Sequence, residues 1–268
     1  MNRYASMFEA LDDRGEGAFG AFVMLGDPDL MASAAMLDSL VEGGADMLEL
    51  GIPFSDPIAD GPVIQAAAVR ALRQGVTPGD CFRLLAEFRS RHPQIPVGLL
   101  TYANLVLARG RDRFYVAAAE AGVDSVLVAD VPMLEARPYL EAARAAGVAP
   151  VLIAAPNTPP ATLAAIAEAG EGYTYCVARA GVTGIGGEVA FVPEVMASLR
   201  GLGAPPPVIG FGIARPDHVR DALAAGAAGV ISGSAIVERV ALGEDVRDFV
   251  AGMKAATRPS GGLRSAAR

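Results

Sequence analysis

Tryptophan is absent from this 268-residue chain, and lysine occurs once, at Lys254, among 22 basic residues. Histidine and cysteine occur twice each, at His92, His218, Cys81 and Cys176. Each scarcity excludes something. Schiff-base chemistry needs a lysine inside a pocket, and Lys254 falls in GEDVRDFVAGMKAA, which reads as a C-terminal helix. A metal aldolase or epimerase would gather histidine ligands. His92 instead precedes a strand, and His218 sits near the start of a helix, where both read as surface residues. The two cysteines lack metal-like spacing and a disulfide framework, which fits a reducing compartment. The first 17 residues have no apolar signal core. The longest uncharged stretch, 145–167, holds four prolines and Asn157, which argues against a membrane span. A net charge of −8 argues against a nucleic-acid or anionic-membrane surface. The expectation is a cytoplasmic protein without resident metal.

What is abundant is apolar: 52% of residues are hydrophobic and 19% charged. A weak unit recurs, a helix ending in Ala/Gly and then a short apolar strand: EGGADMLELG (42–51), EAGVDSVLVAD (120–130), AAGVAPVLIAAP (145–156), EAGEGYTYCVA (168–178) and AAGAAGVISGS (224–234). Glycine past a helix end is a common left-handed terminator. Apolar runs without strict alternation suit strands covered on both faces. FGAFVML (19–25), VGLLTY (97–102) and PVIGFGI (207–213) complete eight strands separated by amphipathic stretches. Eight such units predict a single (β/α)₈ barrel over 1–258. An extra N-terminal helix is expected at 4–11, with further helices after strands two and eight and a disordered tail over 259–268. A doubly wound open sheet is the alternative, weakened because no GxGxxG follows the first strand.

The most informative stretch is ELGIPFSDPIADGP (49–62). Glu49 interrupts an apolar strand, where a carboxylate is costly unless paired or used. Asp60 follows on a proline-rich loop. Two carboxylates in different environments suit acid–base work; a strand-end cap and an ordinary Asp-Pro turn are the competing readings. In a barrel, chemistry sits at the C-terminal strand ends, which selects Glu49, Asp60, Tyr102, Asp130, Asn157 and Tyr175. GVTGIGG (181–187), GFGI (210–213) and SGSAIV (232–237) follow the last three strands. Loops after strands seven and eight are the usual barrel phosphate site, with a helix N-terminus to receive the anion. The glycines of 181–187 suggest a lid.

These motifs, with FEAL (8–11), AFVMLGDPD (21–29), TYANLV (101–106) and ADVP (129–132), resemble the tryptophan synthase alpha chain family nearly end to end. The resemblance implies metal-free and cofactor-free cleavage of indole-3-glycerol phosphate, with the indole ring as electron sink. It implies catalytic roles for Glu49 and Asp60, with Tyr175 beside them. Gly184, Gly212, Gly233 and Ser234 match the phosphate cradle. Phe22, Leu100, Tyr102, Ala129, Ile153, Thr183 and Phe211 match the indole pocket and lid, with plain barrel core as the competing reading for Phe22, Leu100, Ile153 and Phe211. It implies a beta chain carrying pyridoxal phosphate, an alpha2beta2 tetramer and handover of indole. Pro53, Asp56, Asn104, Pro132 and Asn157 match contact positions and are expected to be exposed. Ala180 departs from the family, which usually has serine there. A stand-alone lyase, a non-catalytic regulatory subunit and another phosphate barrel are the competing functions.

Overall fold

The structure is a computed structural model, and it describes residues 2–177 and 193–258. The lid positions Ala180, Thr183 and Gly184, and the tail 259–268, lie outside the described residues. Among the described residues nine strands form one parallel sheet: β1 (Ala18–Met24), β2 (Met47–Gly51), β3 (Val97–Thr101), β4 (Ser125–Val128), β5 (Ala149–Pro150), β6 (Leu152–Ala154), β7 (Thr174–Cys176), β8 (Pro207–Ile209) and β9 (Gly229–Ser232). Their order is β5-β4-β3-β2-β1-β9-β8-β7-β6. β5 and β6 are two pieces of one extended run broken at Val151; β5 pairs with β4 and β6 with β7. Pro150 has no N–H to give the ladder, but the Val151 N–H still reaches the Val126 carbonyl at 3.1 Å. The sheet is thus a nearly closed barrel with eight strand positions, as the sequence predicts.

Helices cover its outside. Several start where a side chain accepts a first-turn N–H: Asp29 accepts from Ala32 at 2.8 Å before Leu30–Glu42, and Thr77 and Asp80 form a reciprocal box before Pro78–Arg91. The extra helix after β2 is Pro62–Arg73, and Ser234–Leu242 and Arg247–Ala255 follow β9. The stretch 133–147 is a 3₁₀ turn, Met133–Glu135, and then Arg137–Ala145, because the Pro138 ring clashes with a helical carbonyl four residues earlier. A five-residue helix, Ala103–Leu107, follows β3; it is too short to show a periodicity.

The N-terminal helix, Arg3–Arg14, covers the lower mouth of the barrel. Arg3 donates to Asp124 at 2.7 Å and to the Pro93 carbonyl at 2.6 Å. Tyr4 reaches the interior, where its hydroxyl meets that of Ser125 at 2.8 Å. Gly98 leaves the space, since a Cβ there would lie 2.8 Å from the Ser125 Oγ and 3.0 Å from the Tyr4 hydroxyl. No helix among the described residues is long and apolar enough to cross a membrane.

Candidate active site

Glu49 lies in the middle of β2, in register with Phe22 of β1 and Gly98 of β3. Strand alternation turns it into the barrel, while Leu48 and Leu50 pack outward. It is 1% exposed. The Tyr173 hydroxyl donates to its Oε1 at 2.7 Å; Oε2 is buried with no partner among the described residues. Burial pushes the carboxyl up to about 8; the Tyr173 hydrogen bond pulls the other way, and the negative Asp60 adds to the rise. Glu49 therefore holds a proton at neutral pH.

Asp60 sits on the loop between β2 and Pro62–Arg73 and is 7% exposed. Several bonds hold this loop. The Asp60 N–H donates to the Pro57 carbonyl at 3.0 Å. Gln65 Nε2 donates to the Asp60 carbonyl at 2.7 Å, and the Ala59 N–H to the Tyr102 hydroxyl at 3.2 Å. Phe54 stacks on Tyr102 with centroids 5.3 Å apart. Burial raises Asp60 to about 6, and a hydrogen bond from Tyr102 limits the rise. The two carboxyls thus differ in protonation near neutral pH, the arrangement an acid–base pair requires.

Tyr175 is buried and sits edge-on to Phe211, with centroids 5.8 Å apart. Both acids raise its phenol further above the ordinary range, which burial had already exceeded. Gly210 makes room for it: a Cβ there would lie 2.0 Å from the Tyr175 ring. Phe22 is buried against Gly51 and the Gly233 turn. Leu100, Ala129, Ile153 and Phe211 pack against the core but stay half-buried. Leu100 lies in β3 and Ile153 in β6, and Ala129 and Phe211 follow the ends of β4 and β8.

Gly212 is exposed, with a left-handed φ of 81°. Gly233 precedes Ser234–Leu242, and Ser234 opens that helix. The first N–H groups of a helix have no intrahelical partner and favour anions. On the surrounding rim Asp56, Asn104, Pro132 and Asn157 are exposed as expected, but Pro53 is buried. Two residues past β2, Pro53 still belongs to the packed row that includes Ile52, and the exposed part of the loop begins at Ser55.

Sequence reading missed Tyr173. Its spacing from Tyr175 was the available signal, because a period of two puts both rings on one face. His92 lies far from the acids, at the end of Pro78–Arg91, with Nε2 2.8 Å from Asp38. Among the described residues no group of three or more His, Cys, Asp or Glu gathers as a metal site would.

Comparison with known proteins adds an independent line. The family model described as tryptophan synthase alpha chain matches residues 8–261. A tryptophan synthase alpha chain from Shewanella amazonensis is 53% identical over 266 residues, covering 96% of this chain and 100% of the relative. One from Escherichia coli is 52% identical over 267 residues, with coverage of 96% and 100%. Among solved structures, an Aquifex aeolicus protein superposes with a TM-score of 0.90 at 32% identity, covering 96% of this chain and 100% of the other. Mycobacterium tuberculosis tryptophan synthase gives 0.88 at 30% identity, with coverage of 97% and 99%.

Proposed function

The chain belongs to the tryptophan synthase alpha chain family, and we propose that it cleaves indole-3-glycerol phosphate to indole and glyceraldehyde 3-phosphate with Glu49 and Asp60 as the working groups. The observation that carries this reading is a pair of buried carboxyls, one in a strand and one on the loop after it, which burial pushes up to different degrees. Protonated Glu49 delivers its proton to the indole ring carbon that bears the glycerol side chain. That leaves positive charge on the ring nitrogen. Ionised Asp60 accepts the hydrogen bond, and in effect the proton, of the ring N–H. The Glu49 carboxylate then takes the proton of the adjacent side-chain hydroxyl. The carbonyl of glyceraldehyde 3-phosphate forms, the carbon–carbon bond breaks, its electron pair returns to the ring, and Asp60 gives the proton back to the ring nitrogen, so that both acids end as they began. A positioned acid or base is typically worth ~10²–10⁴ in rate.

Tyr175 lies beside the acids. Phe22, Leu100, Tyr102, Ala129, Ile153 and Phe211 enclose the indole, with Thr183 on the lid. Gly212, Gly233 and Ser234, with Gly184, receive the phosphate. The chemistry needs no cofactor in this chain, whose residues 1–258 act as a single domain. The partner is a beta chain carrying pyridoxal phosphate, in an alpha2beta2 assembly in the cytoplasm. Exposed Ile58, Leu107 and Leu134 lie on the segments that follow three successive strands, β2, β3 and β4, with Asp56, Asn104 and Pro132. An apolar arc around a pocket mouth suits docking and direct transfer of indole.

The test is release of glyceraldehyde 3-phosphate by the purified chain, alone and with a tryptophan synthase beta chain. Slow release alone and strong activation by the partner are expected. Fast release that the partner leaves unchanged would mean a free-standing lyase, and no release in either condition would sink the catalytic reading.

A further inference from the structure

The turn after β8 is pinned at two points. The Ser232 hydroxyl, at the end of β9, donates to the Ile213 carbonyl at 2.7 Å. His218, on the first turn of Pro216–Ala224, places its Nδ1 2.7 Å from the Gly212 carbonyl. Its Nε2 lies 2.9 Å from Nη2 of Arg215. These two contacts settle the tautomer. A guanidinium only donates and a carbonyl only accepts, so Nε2 is bare and Nδ1 carries the proton. The longer approach of the Ala214 N–H to Nδ1, 3.3 Å, competes for the same atom and loses. His218 therefore donates to Gly212 while Arg215 holds the ring from behind.

Peptide planarity gives this bond a reach beyond one oxygen. Fixing the Gly212 carbonyl fixes the plane it shares with the Ile213 N–H, and so restrains ψ of Gly212, whose φ is a left-handed 81°. We propose that His218 is a positioning residue for the substrate phosphate, holding the Gly212 turn in its anion-receiving conformation. This rests on the reading above that Gly212 contacts that phosphate.

The experiment uses the full chain with a saturating beta chain. It measures kcat and KM for indole-3-glycerol phosphate, and competitive inhibition by inorganic phosphate, in the wild type, His218→Ala and His218→Gln. His218→Ala should raise KM and the phosphate inhibition constant about five- to tenfold, the equivalent of one lost hydrogen bond, with kcat within about twofold. His218→Gln should restore both, because an amide offers a donor to Gly212 and an acceptor to Arg215. Unchanged phosphate inhibition in His218→Ala overturns the proposal, even if its Tm falls. So does an equal loss in both variants. Failure of inorganic phosphate to compete on the wild-type chain overturns the Gly212 reading itself, and the proposal with it.

Discussion

Asp46, just before β2, and Glu49, in its middle, are three residues apart, yet they lie toward opposite ends of the barrel and serve opposite chemistry. At the lower end, Asp46 accepts from Lys254 at 2.9 Å and from the Phe19 N–H at 2.7 Å. Burial still raises its carboxyl, but Lys254 and that N–H work against the rise. Asp124, also at the lower end, is gripped by Arg3 and Arg89, each at 2.7 Å. Asp27, at the upper rim, is clamped by Arg70. Among the described residues, the side chains that hydrogen-bond to Glu49 and Asp60 are phenols. A cation beside a buried acid favours the charged form and ties elements together, whereas burial beside hydroxyls favours the protonated form. The single lysine belongs to the first class, which is why it serves structure rather than covalent catalysis.

The sharpest break of this contrast is at the upper pair. Glu49→Gln and Asp60→Asn should each cut the cleavage rate by ~10²–10⁴ or more without loss of folding. Glu49→Gln carries a second signature. The Glu49 carboxyl has an ordinary value of 4.5 and a folded value of about 8. The folded wild type thus keeps a proton that the unfolded chain releases, and its stability falls as pH rises through that window. Glu49→Gln has no such proton, so its Tm should gain on the wild type between pH 5 and pH 8. A constant difference across that range would contradict the raised carboxyl.

The same two groups set the pH profile. Asp60 must be ionised, so activity falls below about 6; Glu49 must be protonated, so activity falls above about 8. Tyr173→Phe removes a hydrogen bond that favours the ionised form of Glu49. The alkaline limb of kcat/KM should move upward by about one pH unit, the worth of one hydrogen bond to a charged group. An unmoved limb would mean that Tyr173 has no hold on the working proton.

The lower end should break in the opposite way. Lys254→Ala leaves Asp46 and Glu16, which lie 2.9 and 3.1 Å from its Nζ, without that cation. Removing one partner of a buried pair costs about 3 kcal/mol, readable by urea unfolding, while kcat of the folded protein stays near wild type. A fall in kcat with unchanged stability would erase the division between the two ends.

Of this contrast, the upper pair of acids was legible in the sequence, and the cation-held acids were not. Glycine-terminated helices followed by apolar runs located the strands, and Glu49 stood out because nothing apolar would be replaced there by a carboxylate without cause. What stayed hidden depends on long-range geometry. The Tyr173–Glu49 bond joins residues 124 positions apart, and the break at Val151 reflects pairing to two different neighbours. Pro53 read as exposed because prolines mark turns, but here the chain stays packed for two residues beyond the strand. His218 read as a surface residue because its partner is a backbone carbonyl, and a sequence does not display where carbonyls point.

The mildest expected effect lies on the upper rim, away from both acid clusters. Leu134 is 90% exposed and Ile58 72% exposed, on the loops after β4 and β2. Neither touches the acid pair, so Leu134→Asp or Ile58→Asp should leave the cleavage rate of the isolated chain unchanged and its stability within about 0.5 kcal/mol, as for most surface substitutions. Each should weaken docking of a beta chain by about 1–2 kcal/mol if the residue is a contact of ordinary strength. The readout is the beta-chain concentration that half-saturates activation, expected to rise by about five- to thirtyfold with the maximal rate preserved. A lower maximal rate at saturating partner would place these residues in the coupling between the chains rather than in docking alone. An unchanged half-saturation point would remove the apolar arc from the interface and leave the upper end of the barrel with its acids as its only distinguishing feature.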